Sequence, residues 1–325
     1  MDSVTLFRRF VYTAVFLAFA VVFLGAYTRL TDAGLGCPDW PGCYGHWVVE
    51  ASTLAPAKAW AEMVHRYAAA ILGLLILFLM LLAVFGKRHP DKSIFISIVL
   101  VLLVIFQAAL GRWTVTLQLL PVVVMGHLMG GLTILTLLWI LALKSGHHFQ
   151  SVPSDHSKKF RGWALLGVII VFLQISLGGW TSTNYAALVC PDFPYCHGQF
   201  FPVHEFSKAF NVFMPVGKNF EGGVLDTPAR MTIHVVHRLG ALLTTVYLLV
   251  LGIGVLSSVR ERVLKSLILF IWLILAVQIT LGILNVVWML PLQIAVMHNL
   301  GAALLLLSIV TFTYTLYAKS PHQNL

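Results

Sequence analysis

The fold class that the sequence predicts is an all-α integral membrane protein of eight transmembrane helices, arranged as two parallel-repeat four-helix bundles. Three observations predict it: long apolar runs recur along the chain, basic residues collect between alternate runs, and the second half repeats motifs of the first at a nearly constant offset. Of the 325 residues 59% are hydrophobic and 10% charged, where a soluble domain carries about a quarter charged. The mean hydropathy of +0.90 agrees.

Phe10 to Tyr27, Tyr67 to Gly86, Ser93 to Gly111 and Leu239 to Val259 contain no Asp, Glu, Lys or Arg. They supply the first, second, third and sixth spans, each close to the roughly 20 residues that a helix needs to cross the hydrocarbon core. The fourth span opens at Leu120-Pro121, and the fifth closes at Gly179-Trp180-Thr181. From Ser266 to Ala318 there is again no such charge. That stretch of 53 residues is too long for one span, and Leu290-Pro291 divides it into the seventh and eighth. Lipid offers backbone groups no water, so each run must be helical. The first run has a basic start, but its 18 uncharged residues exceed a usual signal-peptide core and no small-x-small cleavage site follows. Its exit sequence recurs after the fifth span, so it belongs to the fold.

The net charge of +9 is distributed by topology. Arg8 and Arg9 precede the first span, and Lys87, Arg88 and Lys92 follow the second. Lys144, Lys158, Lys159 and Arg161 separate the fourth from the fifth. Arg260, Arg262 and Lys265 separate the sixth from the seventh, and Lys319 follows the eighth. All fall on one side of a chain that crosses eight times. The positive-inside rule makes that side the cytoplasm, with both termini there, in an inner (cytoplasmic) membrane. The basic balance thus points to membrane lipid, and no nucleic-acid motif accompanies it.

The repeat is explicit. Gly25-Ala26-Tyr27-Thr28, Gly34-Leu35-Gly36 and Cys37-Pro38-Asp39-Trp40-Pro41-Gly42-Cys43 follow the first span. Gly179-Trp180-Thr181, Ala187-Leu188-Val189 and Cys190-Pro191-Asp192-Phe193-Pro194-Tyr195-Cys196 follow the fifth, at an offset of 153. His65-Arg66 recurs as His237-Arg238 at 172. Gln107 with Leu110-Gly111 recurs as Gln278 with Leu281-Gly282, and His127 as His298, all at 171. Four spans per half give both halves the same orientation, related by an axis along the membrane normal. The expected organisation is an N-terminal half, 1–145, a cytoplasmic linker, 146–161, and a C-terminal half, 162–325.

Of the 13 histidines, His89, His147, His148, His156 and His322 lie in polar loops and read as solvated. His65, His127, His237 and His298 occupy matched positions near the outer ends of the even-numbered spans. His127 and His298 lie about six residues, roughly 9 Å, beyond their Leu-Pro turns. Ionisable groups inside a membrane are costly and usually functional. Facing helices can each offer an imidazole to one iron, which gives a bis-histidine haem in a bundle core. Zinc is the weaker reading, because the spans offer paired histidines with Glu62 as the one nearby carboxylate. Arg66 and Arg238, next to two of these histidines, suit either haem propionates or snorkelling to headgroups. Trp40, Trp113, Trp180 and Trp288 fit interfacial anchoring.

All four cysteines lie in the two outward C-x5-C loops. An oxidising compartment favours a disulfide within each, Cys37–Cys43 and Cys190–Cys196. For the first loop a redox-active role stands beside the structural one.

These motifs resemble the haem A synthase family. The resemblance rests on the GLGCPDWPGC loop, Glu62-x-x-His65-Arg66, His234-x-x-His237-Arg238, and His127 and His298, and it covers about Arg9 to Tyr317. It implies an oxidoreductase that converts haem O to haem A by oxidising a porphyrin methyl group to a formyl group. It also implies a resident haem b in the C-terminal half and the substrate haem O in the N-terminal half. Haem O synthase and cytochrome oxidase assembly factors become plausible partners.

One asymmetry in the repeat sharpens this. Position 62 is Glu, but its counterpart 172 residues on is His234. Glu62 and His65 share a helix face, so Glu62 is the expected catalytic residue, as a base or as a charge stabiliser. His65 and His127 would then ligate the substrate haem, and His237 and His298 the haem b iron. A plain N-terminal acid favoured by the helix dipole is the competing account of Glu62. A dihaem b-type electron-transfer cytochrome, or a haem transporter or chaperone, would need the histidines without Glu62.

Overall fold

The structure is a computed structural model that describes residues 3–50, 53–86, 92–146, 154–200 and 202–317. Lys87, Arg88, His89, His147, His148, Lys319 and His322 lie outside the described residues. Within them the chain forms ten helices: α1 (Ser3–Leu30), α2 (Pro56–Phe85), α3 (Ile94–Thr116), α4 (Pro121–Gly146), α5 (Asp155–Lys158), α6 (Arg161–Thr183), α7 (Phe206–Ala209), α8 (Thr227–Ser258), α9 (Arg262–Val287) and α10 (Leu292–Tyr317). Eight of these are long and apolar enough to cross a membrane, as the sequence predicts. The short α5 and α7 lie in connections and had no sequence signal. A 23-residue helix such as α3 is about 35 Å long, which spans a hydrocarbon core of about 30 Å.

Packing is cyclic within each group of four. α1 touches α2 and α4, and α3 bridges α2 and α4; α6 touches α8 and α10, and α9 bridges α8 and α10. Across the groups α1 meets α10, α4 meets α6, and α4 meets α10. α10 is therefore central, with Phe312, Thr315 and Leu316 fully buried, while Phe16, Leu74, Phe85 and Leu102 face outward. Lipid tails are as apolar as these side chains, so close packing and hydrogen bonds between helices count for more here than apolar burial. Trp139 Nε1 donates to Thr311 Oγ1 at 2.8 Å between α4 and α10.

Residues one repeat apart also touch. Arg29 Nη2 donates to the Ser182 carbonyl at 2.5 Å, 153 positions on. Tyr185 Oη donates to Asp32 Oδ1 at 3.2 Å, again 153 apart. Arg29 Nη1 donates to Tyr185 Oη at 2.8 Å and its guanidinium stacks on that ring.

The Leu-Pro turns are built alike. Gln118 and Leu119 have φ of 50° and 62°, and Met289 and Leu290 have 56° and 62°. The left-handed residues let the chain fold back so that Leu119 N–H reaches the Thr114 carbonyl, and Leu290 N–H that of Asn285. This is the six-to-one closure of a helix end, and the proline that follows cannot continue the old helix.

Candidate functional site

Each of the four histidines lies against a glycine of the preceding span. A Cβ on Gly25 would stand 3.0 Å from His65 Cε1, and one on Gly111 3.3 Å from His127 Cε1. A Cβ on Gly178 would stand 3.2 Å from His237 Cε1, and one on Gly282 3.1 Å from His298 Cε1. Contacts that tight are rare, so a hydrogen at these four positions is what admits the imidazole edge. The seats lie on α1, α3, α6 and α9, and the rings on α2, α4, α8 and α10.

The His65 and His127 ring centroids are 6.3 Å apart with planes at 82°. A metal–imidazole bond of about 2 Å on each side, added to the half-widths of the two rings, accounts for such a separation. The Nδ1 atoms of His65, His127, His234 and His298 are buried and without a hydrogen-bond partner in the chain. Buried polar atoms in that condition mark sites completed from outside. His237 and His298 occupy the matched positions on α8 and α10, each against its glycine seat. The His65–His127 pair therefore offers the donor set that a bis-histidine haem requires.

The disulfides Cys37–Cys43 and Cys190–Cys196 close the two loops. Inside each ring an aspartate holds the turn. Asp39 accepts from Tyr44 N–H at 2.6 Å and Gly45 N–H at 2.7 Å, and Asp192 from His197 N–H at 2.8 Å and Gly198 N–H at 2.7 Å. The Gly198 N–H, with that of His197, holds the Asp192 carboxyl below the usual carboxylate range.

Each loop is fastened to the helix that carries the first histidine of its half. Arg66 Nη1 donates to the carbonyls of Gly42 at 2.6 Å, Asp39 at 3.0 Å and Pro41 at 3.2 Å. Arg238 donates to those of Tyr195 at 2.7 Å and Cys190 at 3.2 Å. The sequence suits both arginines either to haem propionates or to headgroups. The loops engage these donors, and the buried Arg238 Nε is left without a partner. What the sequence did not disclose is that the histidine-arginine pair joins a ring seat to a disulfide loop.

Glu62 is buried. One carboxylate oxygen accepts from Arg66 Nη2 at 2.5 Å, and the other from the Cys37 N–H at 2.9 Å. It thus sits one turn before His65 and against the disulfide. His234, its counterpart, is equally buried but contributes no such acid. Gln174, which lies 3.1 Å from His237 Nδ1, was also missed. Its counterpart at position 21 is Val, so comparing the halves hides it.

Residues 8–310 match the family model described as COX15-CtaA, cytochrome oxidase assembly protein. A heme A synthase of Shewanella oneidensis is 46% identical over 315 residues, covering 92% of this chain and 93% of its own. Those of Caulobacter sp. and Neorickettsia sennetsu are 27% and 26% identical, covering 92% and 94% of this chain.

Proposed function

The chain belongs to the COX15-CtaA family of cytochrome oxidase assembly proteins, and from that premise we propose that it is a haem A synthase, an oxidoreductase that converts the methyl group of haem O to the formyl group of haem A. The observation that carries this reading is the His65–His127 pair at 6.3 Å with Glu62 one helical turn away, a carboxylate that the other half replaces with His234. In the proposed division the N-terminal half, 1–145, takes haem O between His65 and His127. The linker is 146–161, and the C-terminal half, 162–325, holds haem b between His237 and His298. Its donor set fits that group, which when bound supplies one-electron chemistry.

The residues of the chain then have separate tasks. The imidazoles fix the substrate plane, so that one porphyrin edge stays beside the acid. Glu62 can hold a proton on its carboxylate or offset positive charge that develops at the substrate carbon. The Cys37 N–H and Arg66 keep that carboxylate in one place. Purified protein in lipid, supplied with haem O and an electron acceptor, is expected to yield haem A on pigment extraction. Tight binding without conversion would instead favour the dihaem cytochrome.

The proposed orientation puts both disulfide loops on the outer face and both termini in the cytoplasm of the inner membrane. A membrane-impermeant thiol reagent is expected to label Cys37, Cys43, Cys190 and Cys196 only after reduction, and from outside. Labelling from the cytoplasmic side alone would sink this topology. Haem O synthase and oxidase assembly factors are the proposed partners.

A further inference from the structure

Three of the four histidines share a second device that the fourth lacks. Gln107 lies one turn before the seat Gly111, Gln174 before Gly178, and Gln278 before Gly282. Each glutamine reaches the even-numbered span at the glycine three residues after its histidine, namely Gly130, Gly240 and Gly301. A Cβ on any of these glycines would overlap the carboxamide. Gln107 Nε2 donates to the His127 carbonyl at 3.0 Å, and Gln174 Nε2 to that of His237 at 3.1 Å. Gln174 Nε2 also lies 3.1 Å from His237 Nδ1, and Gln278 Nε2 lies 3.3 Å from His298 Nε2. All three Oε1 atoms are buried and without a partner.

At His65 both halves of the device are gone together. The residue one turn before Gly25 is Val21, and the residue three after His65 is Ala68. The two changes belong together, since the Ala68 methyl group occupies the space that a carboxamide would need. The turn that carries His65 therefore lacks the glutamine that the other three have, and the nearest side-chain tie from α1 is Thr28 Oγ1, which donates to the Ala61 carbonyl at 3.3 Å one turn earlier.

We propose that Gln107, Gln174 and Gln278 are positioning residues that hold three of the histidine-bearing turns against the neighbouring span, and that His65 lacks this glutamine clamp so that its site can exchange haem. The inference rests on the division of haems proposed above. A resident cofactor needs two held ligands, and His237 and His298 both have the clamp. A substrate must enter and its product must leave, which one held ligand and one releasable ligand permit. Groups that orient a ligating histidine typically change metal affinity by about 10- to 100-fold when removed, and two residues competing for one space are not additive.

The test is haem capture by excess apomyoglobin from the full-length protein in lipid nanodiscs, with the captured pigment identified as haem O or haem b. Wild type is expected to release haem O about tenfold faster than haem b. V21Q/A68G, which installs the clamp, is expected to slow haem O release about tenfold, whereas V21Q alone falls short because Ala68 blocks the carboxamide. Q174V/G240A is expected to speed haem b loss by a similar factor. The low-spin band of the untouched half checks folding in each sample. Gln278→Asn, a gentler change, should speed haem b loss severalfold. Wild-type release rates in V21Q/A68G with haem O bound, or in Gln278→Asn, would overturn the clamp while leaving the proposed function standing. Failure of the wild type to take up haem O at all would overturn both.

Discussion

Replacing His237 or His298 with alanine is expected to remove most of the low-spin haem b spectrum from the purified protein, and haem A synthesis with it. A bis-histidine iron loses its low-spin character when one imidazole goes, and incompletely ligated haem in a bundle core is readily lost. The glycine seats at Gly178 and Gly282 would then face an alanine and leave a gap rather than a substitute ligand. His65→Ala or His127→Ala should behave differently. The haem b band should persist near the wild-type level, yet haem A production should stop because the substrate is no longer held beside Glu62. Reduced-minus-oxidised spectra of the four variants with pigment extraction measure all of this together. Equal loss of haem b from both sets would refute the division of labour between the halves.

Glu62→Gln should lower haem A output on the order of 10²-fold or more, the usual contribution of a positioned acid or base. Haem O or a partly oxidised product should accumulate. The substitution is informative because it separates two roles. A glutamine can still accept the Cys37 N–H that Glu62 accepts at 2.9 Å, so the loop stays attached. What it loses is the negative charge facing Arg66. The haem b band serves as the check on folding. Full haem A output from Glu62→Gln would end the catalytic assignment and leave Glu62 as an anchor for the disulfide loop.

Much of the architecture was legible because a membrane restricts the choices. Charge-free runs such as Tyr67 to Gly86 have one spanning conformation, and the repeat located the loops, the Leu-Pro turns and four histidines. Contacts between distant segments were less legible. Arg66 and Arg238 suit propionates or headgroups by their place in the sequence, and nothing in their spacing shows that loop carbonyls converge on them. The glycine seats were visible as repeated letters, Gly111 with Gly282 for example, but their purpose needs the ring opposite. Gln174 has no glutamine counterpart in the first half, where Val21 stands at its position. The positions that distinguish the first site are the ones where the repeat breaks, at Val21 and Ala68.

The contacts between residues one repeat apart have a consequence for why two halves share one chain. Positions that touch their own counterparts lie where a two-fold relation would superimpose them. Two separate copies of the first half, paired as a symmetric dimer, would have to satisfy that place with identical side chains. Arg29 would meet a second Arg29 and Asp32 a second Asp32, setting like charges face to face. Joined in one polypeptide, the two sides are free to differ. Arg29 meets the Ser182 carbonyl and the face of Tyr185, and Asp32 accepts from the Tyr185 hydroxyl. Fusion turns a self-facing seam into a complementary one, and the same freedom lets one half keep Glu62 while the other keeps His234.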